Sequence, residues 1–116
     1  MNTRDASTDI AAAPVDAVLI RQSYNAVLLA IGHLPEEQRA HLAGLLRGHA
    51  GLLLPEVENQ IPGMRGEWRH VAEHVVRRTH SAIDVTVAES RRADRLHDLA
   101  ALTRSLLALH HEFGPA

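Results

Sequence analysis

The stretch LPEEQRAHLAGLLRGHAGLLL, residues 34–54, decides the fold class of this 116-residue chain. Pro35 and the acids Glu36 and Glu37 come first, and both residue types are favoured in the first turn of a helix. Apolar side chains then recur every three or four residues, which predicts one apolar helix face. That face consists of Leu42, Leu45, Leu46, His49, Leu52 and Leu53. We expect Pro55 to kink or end the helix, because proline lacks a backbone donor.

Three further helices are predicted around this stretch. The first begins at Pro14 and ends near Gly32, the third runs from Glu67 to near Ser90, and the fourth ends before Gly114. No segment has the alternating pattern of a β-strand. The sequence therefore predicts an all-α fold, an antiparallel four-helix bundle. The third and fourth helices are either separate or one continuous helix.

The chain has the length of one domain with one core. Residues 1–13 are small and polar without periodicity, and we expect a disordered N-terminal tail there. Residues 14–116 are predicted to form the single helical-bundle domain.

The first helix carries two apolar stripes, which favours burial on two sides. One stripe consists of Ile20, Tyr24, Val27, Leu28 and Ile31, and the second consists of Val15, Val18, Leu19 and Leu29. Two interpretations stay open: a helix at the centre of the bundle, or a helix that forms a dimer interface.

The other helices each have one predicted core face. On the third helix it consists of Trp68, Val71, Val75, Thr79, Ala82, Ile83 and Thr86, and on the fourth of Leu96, Leu99, Thr103, Leu106, Leu107, His110 and Phe113. Gly44, Gly48 and Gly51 lie beside the leucine face of the second helix. Because glycine weakens a helix, these three positions either allow a close backbone approach or simply lower the stability of the helix, and we favour the close approach.

Composition excludes several classes of protein. The net charge of −2 argues against nucleic-acid binding, which needs many cations on one face. No apolar run approaches the roughly 20 residues of a membrane-spanning helix, so no membrane partner is expected. There is no cysteine and no signal-peptide pattern, which favours a cytoplasmic protein. Nine histidines make pH sensing by the chain a further hypothesis.

His49 is the leading candidate site residue, because a buried imidazole on a leucine face needs a polar partner. Glu56 follows two helical turns later on nearly the same face, and the two side chains are a candidate acid–base pair. The alternative is a purely structural histidine, which is the commoner case. His110 repeats this pattern more weakly near the C-terminus and is a second candidate for binding.

Metal-ligand spacing also occurs, in Glu67, His70 and His74 and again in Asp94 and His97. These side chains point away from the predicted core faces, whereas the ligands of a dinuclear site in a bundle project inward. We therefore predict no metal site. No cofactor motif or enzyme signature is present, and no cofactor is predicted. The arginines near residues 77 and 92 alternate with acids and are expected to form ion pairs.

The segment LRGHAGLLLPEVE, residues 46–58, resembles the hallmark segment of an uncharacterised family of small actinobacterial helical proteins that is loosely labelled natural-product biosynthesis protein. The resemblance implies an accessory function in such biosynthesis. It maps a shared role onto Arg47, His49, Glu56 and Glu58. The proline-rich break that this family has before its last helix is missing at residues 90–94.

Two functional hypotheses remain. The first is an interaction module that uses the second stripe of the first helix and the glycine-rich side of the second helix. It forms a homodimer, or binds a partner protein or a small apolar ligand. The alternative is a small biosynthetic enzyme with a pocket between the second and fourth helices. There His49 and Glu56 act as acid and base, and Arg47 binds an anionic group.

Overall fold

The computed structural model describes residues 15–84 and 92–114. Within them four α-helices follow one another and pack as a bundle, which confirms the predicted fold class. They are α1 (Ala17–Leu28), α2 (Glu36–Gln60), α3 (Gly66–Ala82) and α4 (Arg92–Phe113), and a short 3₁₀ turn, Ile61–Gly63, follows α2. The predicted tail at residues 1–13 and the predicted start at Pro14 lie outside the described residues. None of the helices in the described ranges is long and apolar enough to cross a membrane.

α2 and α4 form the centre of the bundle, and α1 and α3 flank them. α4 packs against each of the other helices and most extensively against α2, whereas α1 and α3 do not contact each other. Trp68 in the first turn of α3 contacts Phe113 in the last turn of α4, so these two helices are antiparallel. The interpretation of the first helix as central is therefore wrong, because α4 occupies that place.

The first two helices begin with the signals that the sequence contains, although each boundary shifts by a few residues. The Asp16 side chain caps α1 by accepting a hydrogen bond from the Leu19 amide at 3.0 Å. Pro35 precedes α2, and the acids Glu36 and Glu37 occupy its first turn. Between the two helices, Gly32 has a φ of +81°, a conformation that favours glycine.

α2 continues through Pro55 to Gln60, so of the two outcomes expected at Pro55, a kink or an end of the helix, the end does not occur. The side chains on both sides of the proline, Leu53 and Val57, are completely buried. Their packing holds the backbone helical although proline removes one hydrogen bond from the helix interior. Burial of Leu53 and Val57 in the core thus outweighs the tendency of Pro55 to end a helix.

The core runs along α2 and α4. On α4 the predicted face is largely correct, and its buried members are Leu96, Leu99, Thr103, Leu106 and Leu107. The buried hydroxyls of Thr103 and Thr79 donate to the carbonyls of Leu99 and Val75, each at 2.7 Å. These bonds satisfy the only polar atoms of the two side chains without a partner from another helix.

The predicted core face of the third helix is rotated from the one in the structure. Its buried residues are Ala72, Val75, Val76 and Thr79, whereas Trp68 and Val71 are 51% and 47% exposed. Sequence periodicity places the largest apolar residues at the centre of a face, but the small Ala72 is what lies against the rest of the bundle. Close helix approach favours a small side chain there.

The three glycines of α2 do not support close packing. A Cβ atom added at Gly44, Gly48 or Gly51 would meet nothing within 4 Å. All three residues are exposed. The expected close backbone approach is therefore wrong within this chain.

α3 and α4 are separate helices, so the continuous-helix alternative is not what the structure has. α3 ends at Ala82, and Ile83 and Asp84 lie outside it. The Arg95 guanidinium donates hydrogen bonds to the carbonyls of Ala82 and Asp84 at 3.0 and 3.3 Å. Arg95 thereby satisfies backbone acceptors that the end of α3 leaves open.

Candidate functional site

His49 lies half-buried between α1 and α2, and its hydrogen-bond partner is Ser23. The Nε2 atom of His49 is 3.2 Å from the Ser23 hydroxyl oxygen. Ser23 is buried and donates its single hydroxyl proton to the Leu19 carbonyl at 3.0 Å. The tautomer of His49 with its proton on Nε2 is the one that allows both bonds at once. The Ser23–His49 bond joins the inner side of α1 to the middle of α2.

The environment of His49 favours the neutral imidazole. Burial lowers the pKa of His49 below the ordinary histidine value, and the negative charge of Asp16 partly opposes that by raising it. Asp16 is the residue that caps α1. The start of α1 and the protonation of His49 are thus electrostatically linked.

The predicted His49–Glu56 pair is not joined by a hydrogen bond. Glu56 is half-buried and makes no hydrogen bond or ion pair with any described residue, and Arg47 is exposed. Two of the grooves in the described part of the chain lie near Glu58 and near Gly66. Neither is lined by His49 or Glu56. Ser23 was missed, although a serine on the apolar face of α1 is itself a signal that a buried polar partner exists.

Glu58 lies in the larger groove, where it pairs with His80 of α3. The Oε2 atom of Glu58 is 3.0 Å from Nε2 of His80, and both side chains are largely exposed. The groove is shallow and open to solvent, and its volume is about 620 Å³. Its lining residues are Glu58, Ile61, Pro62, Glu73, Val76, Arg77, His80 and Ser81. Sequence reasoning missed His80, because nothing local indicates that α3 crosses the end of α2.

His110 lies half-buried near the end of α4, close to the end of α2. Its carbonyl accepts a hydrogen bond from the Gly114 amide at 2.7 Å. Its Nδ1 atom and the Oε1 atom of Gln60 are buried without a hydrogen-bond partner in the described part of the protein. A Cβ atom at Gly114 would lie 2.3 Å from the His110 carbonyl oxygen, so this tight end of the helix requires glycine.

The outer surface of α1 is apolar and nearly without charge. We define the outer α1 face as Val18, Leu19, Gln22, Ala26 and Leu29, all of which are exposed. Val18, Leu19 and Leu29 are 61%, 44% and 72% exposed. Arg21 is the single charged residue among residues 17–28, and it lies at the margin of this face. The face contains most of the second stripe that the sequence indicates.

The possible metal ligands of α3 are dispersed on its surface. Glu67, His70 and His74 are all exposed. Within residues 15–84 and 92–114, no three histidine or acidic side chains are grouped as a metal site would require.

Comparison with family models, with curated proteins and with solved structures finds no match. The resemblance of residues 46–58 to the actinobacterial family therefore stays a prediction.

Proposed function

We propose that this chain is a small helical interaction module that binds a protein surface through the outer α1 face. The observation that carries the proposal is that three large aliphatic side chains, Val18 and Leu19 on α1 and Leu29 at its C-cap, are exposed together. Burial of such a side chain is worth roughly 1.5–3 kcal/mol when it is complete. Interface centres are depleted in charged residues, and this face contains none.

The inner side of α1 supports the same proposal. Ile20, Tyr24 and Val27 are buried against the bundle, and the Ser23–His49 hydrogen bond adds a polar contact. The inner side of α1 is therefore packed against the bundle, and a partner would meet an outer surface that is already formed. A preformed surface lowers the entropy cost of binding.

The biological setting of the module is supported only by the sequence. The resemblance of residues 46–58 favours an accessory function in natural-product biosynthesis, and the lack of cysteine favours the cytoplasm. Binding through the outer α1 face requires neither this function nor this compartment.

The test compares two exposed valines, one on each flanking helix. Val18→Glu introduces a charge into the outer α1 face, and Val71→Glu does the same on α3, where the valine is 47% exposed. We expect Val18→Glu to weaken association at least tenfold and Val71→Glu to have little effect. Association is measured by light scattering of the purified chain and by affinity capture with the tagged full chain. Equal behaviour of the two variants in both assays contradicts the proposal.

A second candidate function, binding of a small partly apolar ligand, is favoured by the groove at Glu58. Ile61, Pro62 and Val76 supply apolar surface there, and the Glu58–His80 pair supplies a hydrogen-bonding rim. A fragment library screened by two-dimensional NMR is expected to shift the amides of residues 58–62 and 76–81. Shifts spread evenly over the chain, or none at millimolar fragment, exclude this site.

A further inference from the structure

The charged side chains of the groove at Glu58 differ in whether they have a partner. Both acids of the groove have one: Oε2 of Glu58 is 3.0 Å from Nε2 of His80, and Oε2 of Glu73 is 3.4 Å from Nε of Arg69. Arg77 lines the same groove, and its guanidinium makes no hydrogen bond or ion pair with any residue in the described ranges. The charge that is left unmatched at this groove is therefore positive.

A second free donor lies one helical turn beyond this guanidinium. Arg77 and Ser81 are four residues apart, so they are neighbours on the α3 side of the groove. Both are exposed, and the Ser81 hydroxyl also has no hydrogen-bond partner within the described part of the chain. A guanidinium presents several N–H donors in one plane, which suits the two oxygens of a carboxylate, and a hydroxyl adds one more donor. The two side chains together fit a carboxylate.

The rest of the groove distinguishes between classes of ligand. Ile61, Pro62 and Val76 offer apolar surface beside these donors. A simple inorganic anion would leave that apolar surface in water, and a neutral apolar molecule would leave Arg77 without a partner. An amine would bring a second positive charge to the guanidinium. An anion with an apolar body satisfies both parts of the groove.

From this complementarity we infer that the groove at Glu58 binds a small carboxylic acid with an apolar body. Its carboxylate accepts hydrogen bonds from Arg77 and Ser81, and its body lies on Ile61 and Pro62. The inference rests on the second candidate function and names the ligand class for that groove. Because the groove is shallow and open, only part of the ligand leaves water, and we expect an affinity in the millimolar range.

Three probes that differ only at one end test the ligand class. They are 4-phenylbutyrate, its neutral amide 4-phenylbutanamide and the cation 4-phenylbutylamine, each titrated at pH 7 into the isotope-labelled full chain. The affinity is read from the amide shifts of residues 58–62 and 76–81 in two-dimensional NMR spectra. We expect 4-phenylbutyrate to bind about fivefold more tightly than the other two, which is the upper range for an exposed ion pair.

Two neighbouring arginines provide a matched pair of variants. The sequence predicts ion pairs for both, but only Arg78 has one, with Asp98 at 4.0 Å, and Arg78 does not line the groove. Arg77→Gln and Arg78→Gln each remove one exposed positive charge from α3. We expect Arg77→Gln to weaken binding of 4-phenylbutyrate about fivefold and to leave binding of the amide unchanged. Arg78→Gln is expected to change either affinity less than about twofold, because salt screens a charge that makes no contact.

The outcomes separate the ligand class from the site. If the amide or the amine binds as tightly as 4-phenylbutyrate, the carboxylic acid is overturned, whereas the groove stands as a site for a small ligand. An equal loss in the two arginine variants overturns the contact with Arg77. If none of the three probes shifts these amides at several millimolar, the inference and the second candidate function fail together. Protein binding through the outer α1 face is tested separately by Val18→Glu and does not depend on any of these results.

Discussion

α1 and α3 occupy equivalent places beside the central α2–α4 pair, yet their outer surfaces differ sharply. The outer α1 face has no charged residue, whereas the outer surface of α3 carries arginines and histidines, including Arg69, His70, His74, Arg77 and Arg78. Trp68 is the largest exposed apolar side chain of α3, and it is partly covered by Phe113 at a ring-centre distance of 5.1 Å. The comparison shows that a flanking position alone does not create a binding surface. Depletion of charge on the solvent side distinguishes α1.

The largest expected effect is a loss of stability when a buried residue on the inner side of α1 is truncated. It is compared with truncation of exposed residues on the two flanking helices. Ile20 is 1% exposed, and Ile20→Ala is expected to lower the free energy of unfolding by about 2–5 kcal/mol, as buried isoleucines do. Trp68→Ala is expected to cost less than the roughly 3–5 kcal/mol typical of a buried tryptophan, because half of the ring is in water. Urea denaturation of both variants measures the difference.

Val18→Ala is the control for Ile20→Ala on the same helix. We expect a change within about 0.5 kcal/mol, as for most surface substitutions. A destabilisation by Val18→Ala as large as that by Ile20→Ala would mean that α1 is packed in another rotation, and the outer α1 face would then not exist.

The second largest expected effect is a change in the pH dependence of stability. It compares His49, beneath α1, with His80, on the surface of α3. The folded pKa of His49 is lowered, so the unfolded chain takes up a proton first as the pH falls through about 6.5. The contribution of the neutral His49 to the free energy of unfolding is therefore fully present above that pH, and it is lost as the pH falls toward the folded pKa. His49→Gln is expected to flatten this part of the profile, which thermal unfolding between pH 5 and 8 records.

His80→Gln is the matched control, because His80 bonds a carboxylate at the surface instead of a buried serine. The profile of this variant is expected to keep the loss of stability below pH 6.5. A wild-type stability that does not change with pH, or one that His49→Gln leaves sloping, would contradict the assignment to His49.

The smallest expected effect is a gain of stability from a substitution on the glycine side of α2, which tests whether that side belongs to the interface together with α1. Gly48 is exposed with open space around it, so Gly48→Ala is expected to raise the free energy of unfolding by about 0.5–1 kcal/mol. Because the proposed interaction uses only the outer α1 face, association measured by light scattering should stay unchanged. A loss of association in Gly48→Ala would show that the glycine side of α2 belongs to the interface too, as the sequence hypothesis has it.

Prediction from sequence succeeded where the signal is local and strong. Leucine periodicity identified α2, and most of the core face of α4 was found, because both helices are buried along a broad face. The buried residues Ala100 and Leu109 of α4 were missed. Prediction failed at Trp68 and Val71, which hydropathy assigns to the core. At Pro55 the helix does not end, although an end was one of the two expected outcomes. In both places contacts with other helices outweigh the local preference.

For the candidate sites, too, features within one helix were predicted, whereas contacts between helices were not. The second stripe of the first helix was recognised from the sequence, and the structure leaves Val18, Leu19 and Leu29 exposed. His49 was recognised as a histidine on an apolar face, but its partner was expected at Glu56 on the same helix. The actual partner is Ser23, 26 residues away in sequence. Spacing within one helix carries no information on which side chain of another helix lies opposite.

By itself, the sequence determined that this protein is all-helical, with four helices and an apolar second stripe on the first, because helical periodicity and end signals depend on neighbouring residues. Only the tertiary structure decided that α4 is central, that α3 turns Trp68 outward, that Ser23 meets His49 and that Glu58 meets His80. Those features depend on how helices distant in sequence approach each other, and that is set by packing of the whole core.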